Sequence, residues 1–233
     1  FPFYQTQLEK LEAMGLVYPC FCSRAQLHAA SAPHAGTGEP VYPGTCRNLS
    51  PEEVARRSQT RSPALRLQVP AEPLSFVDGH YGRQSQFLPE ACGAFILRRS
   101  DGVFAYQLAV VADDGDMGVT QVVRGNDLLS STPRQLLLYR LLGYPAPQFF
   151  HTPLLLASDG RRLSKRDGDL SLQGLLAQGL TPQDVVGRLG FLAGLLEEPV
   201  PCTPQDLLPC FSWEKVPRRD ILLPPGLFPG AAR

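Results

Sequence analysis

The feature that most limits the fold lies between Phe95 and Gly168, where strand-like runs alternate with segments carrying helix start and stop signals. Phe95–Arg99 reads as a short strand closed by Ser100-Asp101-Gly102, and the apolar run Phe104–Ala112 follows. Val119–Val123 is β-branched and ends at Arg124-Gly125; Ser131-Thr132-Pro133 then caps a helix through Leu142, with Gly143 as its stop. His151–Ala157 is strand-like again, and Ser158-Asp159-Gly160 turns it. Strands alternating with helices come to lie side by side in one direction, so an α/β region with a parallel sheet is expected.

Around this region the texture changes. Tyr4–Gly15 places Leu8, Leu11 and Met14 on one helical face, with Gly15 as the stop. Ser31–Pro43 is rich in Ala, Gly, Pro and Ser and reads as a loop, after which Ser50-Pro51-Glu52-Glu53 resembles a capped helix start. Arg66–Val69 and Ser75–Val77 read as strands with Asp78-Gly79 turning between extended pieces, so Tyr18–Pro89 forms a small α+β lobe. Thr181-Pro182-Gln183-Asp184 and Thr203-Pro204-Gln205-Asp206 each pair an N-cap with a following proline, which predicts a small helical lobe. The Pro- and Gly-rich chain after Pro217 either wraps or frays. The expected segments are 1–17, the opening helix; 18–90, an inserted lobe; 91–168, the α/β region; and 169–233, the helical lobe and tail.

No stretch approaches the roughly 20 uninterrupted apolar residues of a membrane span, and Phe1–Gln5 has neither the basic start nor the apolar core of a secretory signal. A cytoplasmic protein with no membrane partner is therefore expected. Lys plus Arg equals Asp plus Glu at 22 each, so any polyanion must be held by local basic clusters rather than by a global positive field.

Two clusters carry chemistry. Arg161–Arg166, bounded by Gly160 and Gly168, can bring several cations and the Ser164 hydroxyl onto a polyphosphate, although such a charge run also reads as a solvated turn. Cys20-Phe21-Cys22 and Tyr42-Pro43-Gly44-Thr45-Cys46 hold three of the six cysteines, which suits a metal better than a disulfide framework. Zinc takes four ligands, and His28 and His34 qualify by chemistry as the fourth. Cys92, Cys202 and Cys210 read as buried thiols.

Phe104–Val111, Val123–Leu128, Ser131–Gln135 and Arg162–Arg166, in this order, resemble blocks of the glutamate branch of class I aminoacyl-tRNA synthetases. The resemblance implies a Rossmann-like catalytic domain with an inserted zinc-binding α+β lobe and a small C-terminal helical lobe. It makes Arg162, Leu163, Ser164, Lys165 and Arg166 the KMSKS-type ATP loop, with Lys165 as the catalytic cation that steadies the phosphates while pyrophosphate leaves. Arg162 stands where a lysine commonly starts that motif, so the charge persists but on a planar guanidinium. It also gives Tyr106 and Arg124 contact with L-glutamate. Arg124 ends a predicted strand, where ligands bind in open α/β sheets, and a guanidinium can donate two parallel hydrogen bonds to a carboxylate. Without the resemblance, Arg124 reads as an ion pair with Asp127, and Tyr106 as a core residue.

Within that branch, the cysteine spacing and the short chain after the loop resemble the glutamyl-queuosine tRNA(Asp) synthetases, where a tyrosine at the position of Tyr42 completes the zinc site beside Cys20, Cys22 and Cys46. This implies one structural Zn2+, ATP with Mg2+ as substrate, tRNA-independent formation of glutamyl-adenylate, transfer of glutamate to the queuosine base of tRNA(Asp), and a monomer. Arg98, Arg99, Arg161, Lys215, Arg218 and Arg219 are candidates for tRNA backbone contact. A synthetase charging tRNA(Glu) and a non-catalytic tRNA-binding module descended from a synthetase are the alternatives. The family's HIGH-type motif corresponds to positions before Phe1, so an upstream segment is expected.

Overall fold

The computed structural model describes residues 2–23, 25–27, 41–163 and 171–228. They fall into two compact units, one of Phe1–Val77, Arg83–Val122 and Ser130–Gln148, the other of Asp78–Gly82, Val123–Leu129 and Phe149–Arg233.

In the first unit the opening helix α1 (Pro2–Ala13) buries Gln7, Leu8 and Leu11. It packs on two later helices, α4 (Tyr106–Asp116) and α5 (Thr132–Leu142), which contribute Leu108, Val111, Ala112, Leu137 and Leu138 to the core. Each fully buried leucine contributes about 1.5–3 kcal/mol. Met14, expected on the same face, stays 49% exposed. The helix ends at Ala13, and Gly15 at φ 70° turns the chain before another apolar residue can face the core.

Strands β1 (Val17–Cys20), β2 (Ala64–Leu67) and β5 (Phe95–Arg98) form one antiparallel sheet with Val17 opposite Leu67 and Leu67 opposite Phe95. The strand at Phe95, expected in the alternating region, thus joins the strands of the inserted segment. Between them, α2 (Pro51–Ser58) is capped as its sequence predicts, the Ser50 hydroxyl accepting from the Glu53 N–H at 3.2 Å with proline in the first turn. A hairpin of β3 (Pro73–Asp78) and β4 (Gly82–Phe87) follows, leading into the one-turn helix α3 (Leu88–Ala91).

The expected parallel pairing appears where β6 (Gln121–Gly125) meets β7 (Gln148–Thr152). The Gln148 N–H donates to the Thr120 carbonyl and the Thr152 hydroxyl to the Arg124 carbonyl, so both strands run the same way. Helix α5 supplies the crossover that parallel neighbours require, and Gly143 ends it in the left-handed conformation at φ 77°.

In the second unit the strand expected over His151–Ala157 is two pieces, β7 and β8 (Leu155–Leu156), because Pro153 has no N–H to donate. Strand β9 (Ile221–Leu222) pairs parallel with β8. Helices α6 (Leu172–Ala177), α7 (Pro182–Leu192) and α8 (Pro204–Leu207) form the helical part. Thr181 and Thr203 both make full capping boxes, with Asp184 and Asp206 respectively, though α8 lasts only one turn. From Pro217 to Phe228 the chain wraps: Leu223 and Phe228 are buried with Leu175, Leu180 and Leu192. Cys92, Cys202 and Cys210, expected to be buried, are only half-buried. Among the described residues no helix is long and apolar enough to cross a membrane.

Candidate active site and metal centre

Strand β1 ends by delivering Cys20 and, just beyond it, Cys22, and the loop before α2 returns Cys46 and Tyr42 to them. The three sulfurs lie within 4.8 Å of one another, with Cys22 and Cys46 3.7 Å apart. A tetrahedral zinc with sulfurs at about 2.3 Å spaces them by roughly 3.8 Å, so the thiols fit. The Tyr42 hydroxyl stands 3.4 Å from the Cys20 sulfur and accepts from the Cys46 N–H at 2.9 Å.

Tyr42 is held from all sides. Its ring lies 3.9 Å below the Arg66 guanidinium, which donates to the Ala94 carbonyl at 2.6 Å, and it stacks on Tyr18. Gly93, at φ 61°, passes so close that a Cβ there would lie 2.4 Å from the Tyr42 carbonyl oxygen. Burial raises the Cys20 thiol, but the Tyr42 hydroxyl, the Cys22 backbone and Arg66 together bring its pKa below the ordinary value. Burial and the neighbouring Cys20 push the Cys22 thiol up to about 11. Burial, then the bond with Cys20, raises Tyr42 as well. Cys20 is thus poised to ionise before Cys22, and a cation would have to draw the proton from Cys22. His28 and His34 lie outside the described residues.

Tyr106 opens α4 in the first unit and is 52% exposed, so it is no core residue. Behind it the neighbouring Gln107 accepts from Gln135 at 2.9 Å and donates to the Ser131 hydroxyl at 3.2 Å, with Gln135, Thr132 and Ser131 all buried. Two of the blocks singled out in the sequence are therefore joined by a partly buried polar ladder.

Arg124 belongs to the second unit. Its Nε donates to His151 Nε2 at 3.0 Å and its Nη2 to the Leu128 carbonyl at 3.4 Å, while its guanidinium lies over the Phe149 ring. His151 Nδ1 is 2.6 Å from Asp78 Oδ2, both side chains being fully inaccessible. Asp127, considered as an ion-pair partner for Arg124, is paired with Arg162, 3.0 Å away. Sequence reasoning missed His151 and Asp78: each sat in an ordinary local pattern, a strand and a turn, and nothing in either pattern pairs residues 73 positions apart.

Of the phosphate loop, Arg162 is described, bridging to Leu156 beside the turn at Gly160, and Leu163 packs against the core of the second unit. Ser164, Lys165 and Arg166 lie outside the described residues. Among the candidate tRNA contacts, Arg99 pairs with Asp101, Arg161 with Asp159, Arg98 donates to Gln5 and Lys215 to the Cys210 carbonyl. Arg218 and Arg219 are exposed.

Residues 1–194 match the family described as tRNA synthetases class I (E and Q), catalytic domain. A relative from Symbiobacterium thermophilum named glutamyl-Q tRNA(Asp) synthetase is 53% identical over 224 residues, which are 95% of this chain and 69% of the relative. A relative from Halorhodospira halophila named glutamate–tRNA ligase 1 is 43% identical over 189 residues, 80% of this chain and 39% of its own length. The crystal structure of glutamate-tRNA synthetase from Elizabethkingia anophelis superposes with a TM-score of 0.77 at 22% identity, over 97% of this chain and 51% of that one. That likeness shows the fold, a mixed α/β class I catalytic domain.

Proposed function

Because the chain belongs to the class I tRNA synthetases of the glutamate and glutamine type, we propose that it activates L-glutamate with ATP and passes the glutamyl group to the queuosine base of tRNA(Asp), as a cytoplasmic monomer. The observation that carries this reading is the 53% identity, over nearly the whole chain, to a relative named for that activity.

The site's chemistry agrees with it. Activation is in-line attack of the glutamate α-carboxylate on the α-phosphorus of ATP, expelling pyrophosphate, and needs positioning and positive charge rather than a protein nucleophile. Arg124 offers a guanidinium to a substrate carboxylate, and Tyr106 a half-exposed hydroxyl to a second polar group. Lys165, with Arg162 and Arg166, steadies the charge that builds on the departing pyrophosphate, which enters as ATP with Mg2+. One structural Zn2+ is held by Cys20, Cys22, Cys46 and Tyr42; the sulfur spacing and the hydroxyl beside Cys20 support this. Arg218 and Arg219, both exposed, are suited to a tRNA backbone.

Charging of tRNA(Glu) is the second reading, favoured by the 43% identity to a glutamate–tRNA ligase. Labelled glutamate offered with tRNA(Asp) containing queuosine and, separately, with tRNA(Glu) distinguishes them: label on the first supports the proposal, and label on the second alone rejects it.

A further inference from the structure

The second unit contains a buried relay that neither composition nor the sequence blocks foreshadow. Asp78 is 1% exposed and His151 not at all. Asp78 Oδ1 accepts from the backbone N–H groups of His80 at 3.0 Å, Tyr81 at 2.8 Å and His151 at 3.4 Å, which leaves Oδ2 to face His151 Nδ1 at 2.6 Å. On the far side of the ring, Nε2 faces the Nε–H of Arg124 at 3.0 Å. Guanidinium nitrogens never accept a hydrogen bond, so Nε2 must be the acceptor and Nδ1 must carry the proton. One tautomer alone satisfies both contacts.

We propose that Asp78 and His151 are positioning residues for glutamate: by fixing the imidazole in the Nδ1–H form they hold the Nε edge of Arg124, and so aim its terminal Nη1/Nη2 edge at the substrate carboxylate. The physical reason is geometric. A guanidinium is a rigid fork, and two parallel N–H donors meet a carboxylate only when its plane and direction are set. The Leu128 carbonyl on Nη2 and the Phe149 face beneath the group set the plane; His151 sets the direction. This inference rests on the reading of Arg124 as a glutamate contact. The rival account is that Asp78 and His151 only stabilise the turn at Gly79.

Glutamate-dependent ATP–pyrophosphate exchange by the protein separates the two. Asp78→Asn keeps the shape and the Oδ1 acceptor but offers Nδ1 a donor, which drives the ring to the Nε2–H form and sets two N–H groups against each other at Arg124. The KM for glutamate should rise about ten- to hundredfold while the KM for ATP moves less than twofold. His151→Phe should match that loss, and His151→Gln, whose amide offers acceptor and donor together, should recover at least half of it on a logarithmic scale. A rise shared equally by ATP, or an unchanged KM for glutamate, overturns the inference and leaves the functional reading intact. Exchange that is absent in the unmutated protein overturns both. Nitrogen-15 NMR of the unmutated protein gives a check that depends on no variant: a bare Nε2 on His151 is expected, and a protonated Nε2 refutes the relay.

Discussion

Arg162 places a guanidinium nitrogen 3.0 Å from the Asp127 carboxylate, tying the first residue of the phosphate loop to the segment that follows Arg124. The same carboxylate crowds Gly125, where an added Cβ would lie 2.7 Å from Asp127 Oδ1. Arg162 is 64% exposed, so the pair contributes only about 0–1 kcal/mol to stability. Its value lies in holding one long side chain in place. Asp127→Ala should leave the melting temperature nearly unchanged and raise the KM for ATP about two- to tenfold, the cost of ordering one side chain on binding. An unchanged KM for ATP contradicts this role.

Lys165→Ala should cut adenylate formation by about two to three decades, as removal of one donor to a developing charge does elsewhere, with no loss of folded protein by circular dichroism. A rate within a factor of about three of the unmutated one removes Lys165 from its role.

The metal centre predicts one zinc per chain by elemental analysis. Cys22→Ser should lose the metal and lower the melting temperature, because binding free energy in such a lobe is folding free energy. Tyr42→Phe keeps the stacking on Tyr18 and under Arg66 but deletes the hydroxyl beside Cys20. It should weaken zinc binding about ten- to hundredfold, read by competition with a chelator. Unchanged affinity in Tyr42→Phe together with loss in His34→Ala would reassign the fourth ligand.

Stability should fall as the solution is acidified, in two stages. Burial foremost, then the nearby Arg124, lowers the His151 pKa against the opposing pull of Asp78 and Asp127. Asp78 is also lowered: burial opposes its charge, but the N–H groups of Tyr81 and His80 and the His151 ring outweigh it. In both cases the unfolded chain binds the proton more readily, so stability is fully present above the unfolded values and is lost as pH falls through the folded ones. His151 acts first, below about pH 6.5, and Asp78 below about pH 4. Melting temperatures from pH 8 to pH 5 should decline, with a shallower decline in His151→Gln. A slope unaltered by that substitution contradicts the buried-neutral assignment.

What was legible in the sequence was local. The capping boxes at Thr181 and Thr203, the helix through Leu142 with its Gly143 stop, and the turn at Gly160 each depend on residues a few positions apart, and all formed. Met14 failed because a periodic pattern does not say where a helix ends. The strand at Phe95 formed, but its place in the sheet differed because antiparallel pairing with β2 is decided by residues about 30 positions away. At the sites, thiols spaced as ligands announced themselves, whereas the Asp78–His151 contact joined a turn residue to a strand residue with nothing local to mark either.

The most direct test of the account is acceptor choice. The protein, supplied with ATP, Mg2+ and radiolabelled glutamate, is offered tRNA(Asp) with queuosine, tRNA(Asp) without it, and tRNA(Glu). Label is expected on the queuosine-containing tRNA(Asp) alone; label on tRNA(Glu), with none on queuosine-containing tRNA(Asp), would overturn the proposed function.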